Sequence, residues 1–180
     1  MRERLDLDLP DEAIERAIVD GVVDRYRREG APGIEGAVDA VRRIAADRPV
    51  AVASSAHQSV IDAALAATDL TSVFSVVVSS DEVTHGKPAP DVYLEAARRL
   101  GADPATCLVV EDSLNGVKAA RAAGMTVALV PNRSVPPAPG TAALADVVLP
   151  RLADLDPDAV ARTTRAPDAS AASGPDEAPR

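Results

Sequence analysis

Aromatic residues are almost missing from this chain, which has no tryptophan, two tyrosines and one phenylalanine in 180 residues. Its core must therefore be built from alanine, valine, leucine and isoleucine, and a hydrophobic content of 47% supplies enough of them for one domain with a small appendage. Cysteine is as scarce. The single Cys107 excludes an internal disulfide, and its place in a short apolar run points to a buried thiol. No apolar run approaches the roughly 18 residues of a membrane span. The N-terminal MRERLDLDL lacks the apolar segment of a secretion signal. Basic charge is in deficit. A net charge of −9 argues against nucleic acid or a membrane as partner, and a cytoplasmic protein is expected. Lysine is the scarcest charge, with Lys87 and Lys118 the only two among nineteen basic residues. A composition that has nearly replaced lysine with arginine keeps one inside Gly86-Lys87-Pro88-Ala89-Pro90, where a compact ammonium differs from a guanidinium fork.

What is present is organised around Cys107–Met125, CLVVEDSLNGVKAARAAGM. Cys107–Val110 is a run of strand type that stops at two adjacent carboxylates, Glu111 and Asp112. Ser113 follows as a helix N-cap, Leu114, Val117, Ala120 and Ala123 recur at helical spacing, and Gly124 closes the helix. Paired acids in a strand-to-helix loop lie at the carboxyl edge of a sheet, where open α/β folds bind ligands. Beside the positive end of a helix they suit a hard cation such as magnesium with an anionic substrate. The plain alternative is that Glu111 is an exposed turn residue and Asp112 helps to cap.

Along the chain, helices are expected from Pro10 to Glu29 and from Glu35 to Ala46, separated by the flexible Gly30-Ala31-Pro32-Gly33. Val50–Ala53 reads as a strand ending in Ser54-Ser55, followed by a helix over Gln58–Ala67 and a strand over Phe74–Val78. A helix to Leu100, the organising strand and helix, a strand over Thr126–Val130 and a short one at Asp146–Leu149 complete the pattern. Strands alternating with helices indicate right-handed βαβ units and a parallel sheet. Three regions are expected: residues 1–30, an α/β core over 31–162, and a tail over 163–180 without order.

Strand ends in a parallel sheet converge, so Ser54 and Ser55, Lys87, and Glu111 with Asp112 can share one site. A hydroxyl and a backbone N–H at a helix start, with an ammonium opposite, form a phosphate cradle, and the carboxylates would hold the cation that neutralises the rest. Each also has a plain reading: serines after strands are ordinary caps, and loop lysines are ordinarily solvated. Lys118 reads as solvated, His57 as a helix-start residue and His85 as a loop residue, without assigned roles. The order Ser54, Lys87, Glu111-Asp112 disfavours a phospho-receiver domain, in which the acid pair comes first.

Val50–Ala56 (VAVASSA), Gly86–Tyr93 (GKPAPDVY) and Val109–Gly116 (VVEDSLNG) together resemble three motifs of the haloacid dehalogenase superfamily, closest to its β-phosphoglucomutase-like branch. The resemblance implies a Rossmann-like α/β phosphatase or phosphomutase of small phosphorylated metabolites, monomeric and acting through an aspartyl-phosphate. Ser54 would bind the phosphoryl group, with Ser55 beside it. Lys87 would steady nucleophile and phosphate, and Glu111 and Asp112 would bind Mg2+. Ala56 departs from a small polar residue common at that position. The family's first motif, a buried strand ending in Asp-x-Asp, has no counterpart. Asp6-Leu7-Asp8 has the spacing but follows Arg2-Glu3-Arg4, which cannot be buried on both faces of a sheet at acceptable cost. The resemblance therefore implies that residues 1–30 are the remnant of a helical cap, and that the central strand between those ending at Ser54 and Asp112 is missing. The expectation is a sequence started too far downstream or a truncated gene, inactive as it stands. A non-catalytic remnant that binds a phosphorylated ligand or a protein is the alternative.

Overall fold

The computed structural model describes residues 10–165. Asp6 and Asp8 lie outside the described residues, as does the tail beyond 165. Among these residues, six α-helices and five short strands follow in the order α1 (Asp11–Glu29), α2 (Ala37–Ala45), β1 (Ala51–Ser54), α3 (Gln58–Ala67), β2 (Val76–Ser79), α4 (Asp91–Leu100), β3 (Leu108–Glu111), α5 (Leu114–Ala122), β4 (Thr126–Leu129), β5 (Val147–Val148) and α6 (Pro157–Arg165). Helix α6 carries order past position 162, through Thr163 and Thr164 to Arg165. Asp156 starts it, its Oδ1 accepting from the N–H groups of Asp158 and Ala159.

All strand pairs are parallel, and they form two separate sheets. One is β1–β2, in register from Ala51↔Val76 to Ser54↔Ser79; the other is β3–β4–β5, with Leu108↔Thr126 and Ala128↔Val147. Alternation of side chains assigns each strand to two apolar layers. Ala51, Ala53, Val76, Val78, Val109, Val127 and Leu129 face α4 and α5. On the other side Val52 and Val77 pack with α2 and α3, and Leu108, Ala128 and Val147 pack with Leu155 and Val160 at α6. Every one of these side chains is small or branched aliphatic, as the shortage of aromatics required.

Between β1 and β3 the sheet is interrupted. The gap is a cavity of about 680 Å³ lined by both strands, by Ala40, Val41 and Ile44 of α2, by Tyr93, Ala96, Ala97 and Leu100 of α4, and by Val160 and Ala161 of α6. Val110, in the middle of β3, is 39% exposed as a result. Among the described residues no strand lies between β1 and β3.

Helix α1 packs on α3 and buries Ile14 and Val23. Its polar link to the core is His57, whose Nε2 lies 3.0 Å from Glu15 Oε1 and whose Nδ1 lies 3.1 Å from Asp81 Oδ1. The hydrogen bond with Glu15, then the charge of Asp81, raise the His57 pKa above its ordinary value. A raised pKa stabilises fully below the unfolded value of about 6.5, and the contribution is lost as pH rises through the folded value. Amide exchange in α1, normalised for intrinsic rate, should therefore accelerate relative to α5 as pH rises above that point. His57→Gln should abolish the dependence, and a pH-independent ratio in the wild type would contradict it.

No helix among the described residues is long and apolar enough to cross a membrane.

Candidate active site

The carboxyl ends of β1 and β3 bring the expected residues to one edge. Lys87 joins them. Its Nζ donates to Ala53 O of β1 (3.1 Å) and to Glu111 Oε1 of β3 (2.5 Å), and it lies 4.5 Å from the centre of the Tyr93 ring. Both ion-pair side chains are only 9% exposed. Glu111 is thus not the exposed turn acid of the plain alternative. Tyr93 Oη also donates to Glu111 Oε1, while Oε2 accepts from the N–H of Asp112 and from the N–H and Oγ of Ser113. Ser113 is the N-cap of α5, its Oγ also accepting from Gly116 N–H, so the capping read from the sequence belongs to it and not to Asp112.

Burial is the largest single influence on Glu111 and opposes its ionisation, but the Lys87 charge and the hydrogen bonds together outweigh it. That charge and the bonds from Lys87, Tyr93 and Ser113 hold the carboxyl below its ordinary range. Burial, reinforced by the Glu111 charge, holds the Tyr93 hydroxyl protonated far above its usual range. This pair is therefore a fixed Lys⁺–Glu⁻ unit with a neutral tyrosine donor against it.

Asp112, half-buried beside the unit, accepts no hydrogen bond among the described residues. Glu111 has both oxygens engaged, so Asp112 is the carboxylate free to meet a cation. No cluster of three His, Cys, Asp or Glu side chains able to hold an ion occurs among the described residues. One free carboxylate with a phosphate oxygen and water nevertheless matches how magnesium is commonly held.

Ser54 stands half-buried at the end of β1, its Oγ accepting from Ala56 N–H at 3.1 Å. Ser55 is exposed, and its carbonyl accepts from Ser80 Oγ. The loop they form is pinned from β2. Fully buried Ser79 donates to Ala56 O at 2.7 Å and accepts from Asp81 N–H. Sequence reasoning missed Ser79, Tyr93 and Gly116. Tyr93 closes a motif already singled out, three residues past Pro90. Gly116 lies five after Glu111, and a Cβ there would overlap the Glu111 carboxyl group. His85 is exposed and bonds Asp91, and Lys118 is exposed. Burial pushes the half-buried Cys107 thiol up, in keeping with an unreactive cysteine.

A parallel α/β fold with a buried lysine–glutamate pair, a hydroxyl and a free carboxylate at its strand ends defines a class. The family described as haloacid dehalogenase-like hydrolase matches residues 2–124, and the chain belongs to it. Within it the chain falls in the β-phosphoglucomutase-like branch. Hexitol phosphatase B of Escherichia coli is 34% identical over 145 residues, 80% of this chain and 64% of that protein. The fructose-1-phosphate phosphatase YqaB of the same species is 44% identical over 88 residues, 49% of this chain and 47% of that one. The crystal structure of CbbY from Rhodobacter sphaeroides in complex with xylulose-(1,5)bisphosphate superposes with a TM-score of 0.71 at 29% identity, covering 83% of this chain and 67% of that chain. The chain thus spans less than two thirds of either curated relative.

Proposed function

We propose that this chain carries the phosphate- and magnesium-handling part of a phosphatase or phosphomutase of small phosphorylated metabolites, the sugar-phosphate class named among its relatives. The observation that carries the reading is the Lys87 ammonium fixed between Ala53 O and Glu111, within the same edge as Ser54 and the free Asp112. An ammonium has three donors, and two are engaged, which leaves one for an anion. Ser54 Oγ and the N–H groups at the start of α3 would take further phosphate oxygens, with Ser55 beside them. Asp112 would hold magnesium, and Glu111 could join it only by releasing a protein donor. The bound cation would neutralise charge on the transferring phosphoryl group.

The attacking group is not among these residues. Glu111 is locked to Lys87, and in-line displacement through an aspartyl-phosphate needs a further carboxylate between Ser54 and Asp112. A protein that supplies it should turn over sugar phosphates only with magnesium. In that protein Asp112→Ala should cost at least ~10²-fold in kcat/KM, the scale of removing a preorganised charge, and Ser54→Ala less, since backbone donors remain. The 180-residue chain alone should show no turnover above background. Assay of released phosphate over a panel of hexose, hexitol and pentulose phosphates, with and without EDTA, tests the reading. Turnover indifferent to EDTA would overturn it.

A further inference from the structure

Among the described side chains, Ser79 and Thr141 are the polar ones that are fully buried, and each aims its hydroxyl at a loop carbonyl. Ser79 stands opposite Ser54 in the β1–β2 register, at the edge where the site lies. Its backbone is held in turn, because its N–H donates to Glu82 Oε1 and Glu82 Oε2 accepts from Arg99 of α4. From that platform Ser79 Oγ donates to Ala56 O at 2.7 Å, and its neighbour Ser80 donates through Oγ to Ser55 O at 3.0 Å. Two successive carbonyls of the loop after β1 are thus drawn to the β2 side. Both peptides are trans and planar, so each N–H points opposite to its carbonyl. The Ala56 N–H accordingly meets Ser54 Oγ, and the His57 N–H is turned away from β2. It finds no acceptor among the described residues, whereas the Gln58 N–H that follows is taken by Asp81 Oδ2 at 3.1 Å. A carbonyl released from either serine could swing to the Ser54 side and present its negative end to an anion there.

We propose that Ser79 and Ser80 are positioning residues for phosphate. They hold the 55–57 backbone with its carbonyls away from the anion, and the donor they deliver to it is the His57 N–H. The inference rests on the function proposed above, which places the anion beside Ser54 and Lys87. Both hydroxyl protons are spent on the carbonyls, so the pair acts through the backbone and not by touching phosphate. A donor fixed in direction before its ligand arrives needs no reorganisation on binding, and that preorganisation is what the two serines supply. Ser79 carries the larger share. It is fully buried and governs the peptide whose N–H is free, whereas Ser80 is partly exposed and can exchange its bond for one to water.

Inorganic phosphate titrated calorimetrically into the full chain, with magnesium present, tests the pair. Ser79→Ala should weaken phosphate binding about 10-fold, and Ser80→Ala about 3-fold. The control is Thr141→Ala, which removes a hydroxyl of the same kind, 2.7 Å from Ala138 O, in the turn that leads into β5. It should lower the urea midpoint as Ser79→Ala does and leave phosphate affinity unchanged, which separates positioning from general loosening. In the wild type, phosphate should shift the amide resonance of His57, and Ser79→Ala should reduce that shift. Should Ser79→Ala fail to fold, Ser80→Ala and the His57 resonance decide between them. Unchanged phosphate affinity in the serine variants, an equal loss in Thr141→Ala, or a His57 amide that ignores phosphate in the wild type would each overturn the proposal. A wild-type chain that binds no phosphate would remove the proposed function and this inference with it. Wild-type binding that survives both serine changes would remove the inference alone.

Discussion

Gly116→Ala is expected to destabilise the chain by about 3 kcal/mol or more, the scale of breaking a buried ion pair by displacing one partner. A Cβ at this position overlaps the Glu111 carboxyl carbon and both oxygens, and Gly116 lies buried in the first turn of α5 with no room to withdraw. Glu111 must then leave Lys87, Tyr93 and Ser113 together, so a nearly buried ammonium loses its counter-charge. In an isolated exposed helix the same change would stabilise by about 1 kcal/mol, which fixes the sign of the test. Urea unfolding followed by circular dichroism measures it. A variant as stable as the wild type would show that Glu111 is not held where the hydrogen bonds place it.

Lys87→Ala should have the second-largest effect, and on two readouts. Loss of the ammonium leaves Glu111 buried with only Tyr93 and Ser113 side-chain donors, again at a cost of about 3–5 kcal/mol. The pH dependence carries the signature. In the wild type the depressed Glu111 pKa gives stability that is fully present above the unfolded value of about 4.3 and is lost as pH falls through the folded value. The variant should lose this acid-side decline, because burial without Lys87 acts in the opposite direction. In a protein that also supplies the attacking acid, kcat/KM should fall at least ~10²-fold. A variant that keeps the wild-type acid decline would place the cause of the Glu111 shift elsewhere.

Where local chemistry decides an element, the sequence is sufficient. The expected Gln58–Ala67 helix is α3, and Ser113, expected as the N-cap after the paired acids, caps α5. Strand β2 begins at Val76 instead of Phe74 because Phe74 turns toward α2 and α3 and packs there. Helix α6 escaped notice because Val160 is its main apolar anchor and threonines fill its last turn, although Asp156-Pro157 is a fair helix start. At the site, Ser54, Lys87, Glu111 and Asp112 were legible as strand-end residues. Their division of labour was not, because it depends on which oxygen meets which donor across the two sheets. Tyr93 meets both Glu111 and Lys87, and Gly116 leaves room for the Glu111 carboxyl group, relations that no local pattern encodes.

The central claim is that Ser54, Lys87 and Asp112 act as one site for phosphate and a divalent cation. Calorimetric titration of inorganic phosphate into the chain, with and without magnesium, tests it most directly when repeated on Asp112→Asn, a change at a side chain that accepts no hydrogen bond in the described structure. The account predicts that magnesium tightens phosphate binding to the wild type, and that the variant keeps its fold but loses that coupling. Phosphate binding that ignores magnesium in the wild type, or coupling that survives in Asp112→Asn, would contradict it.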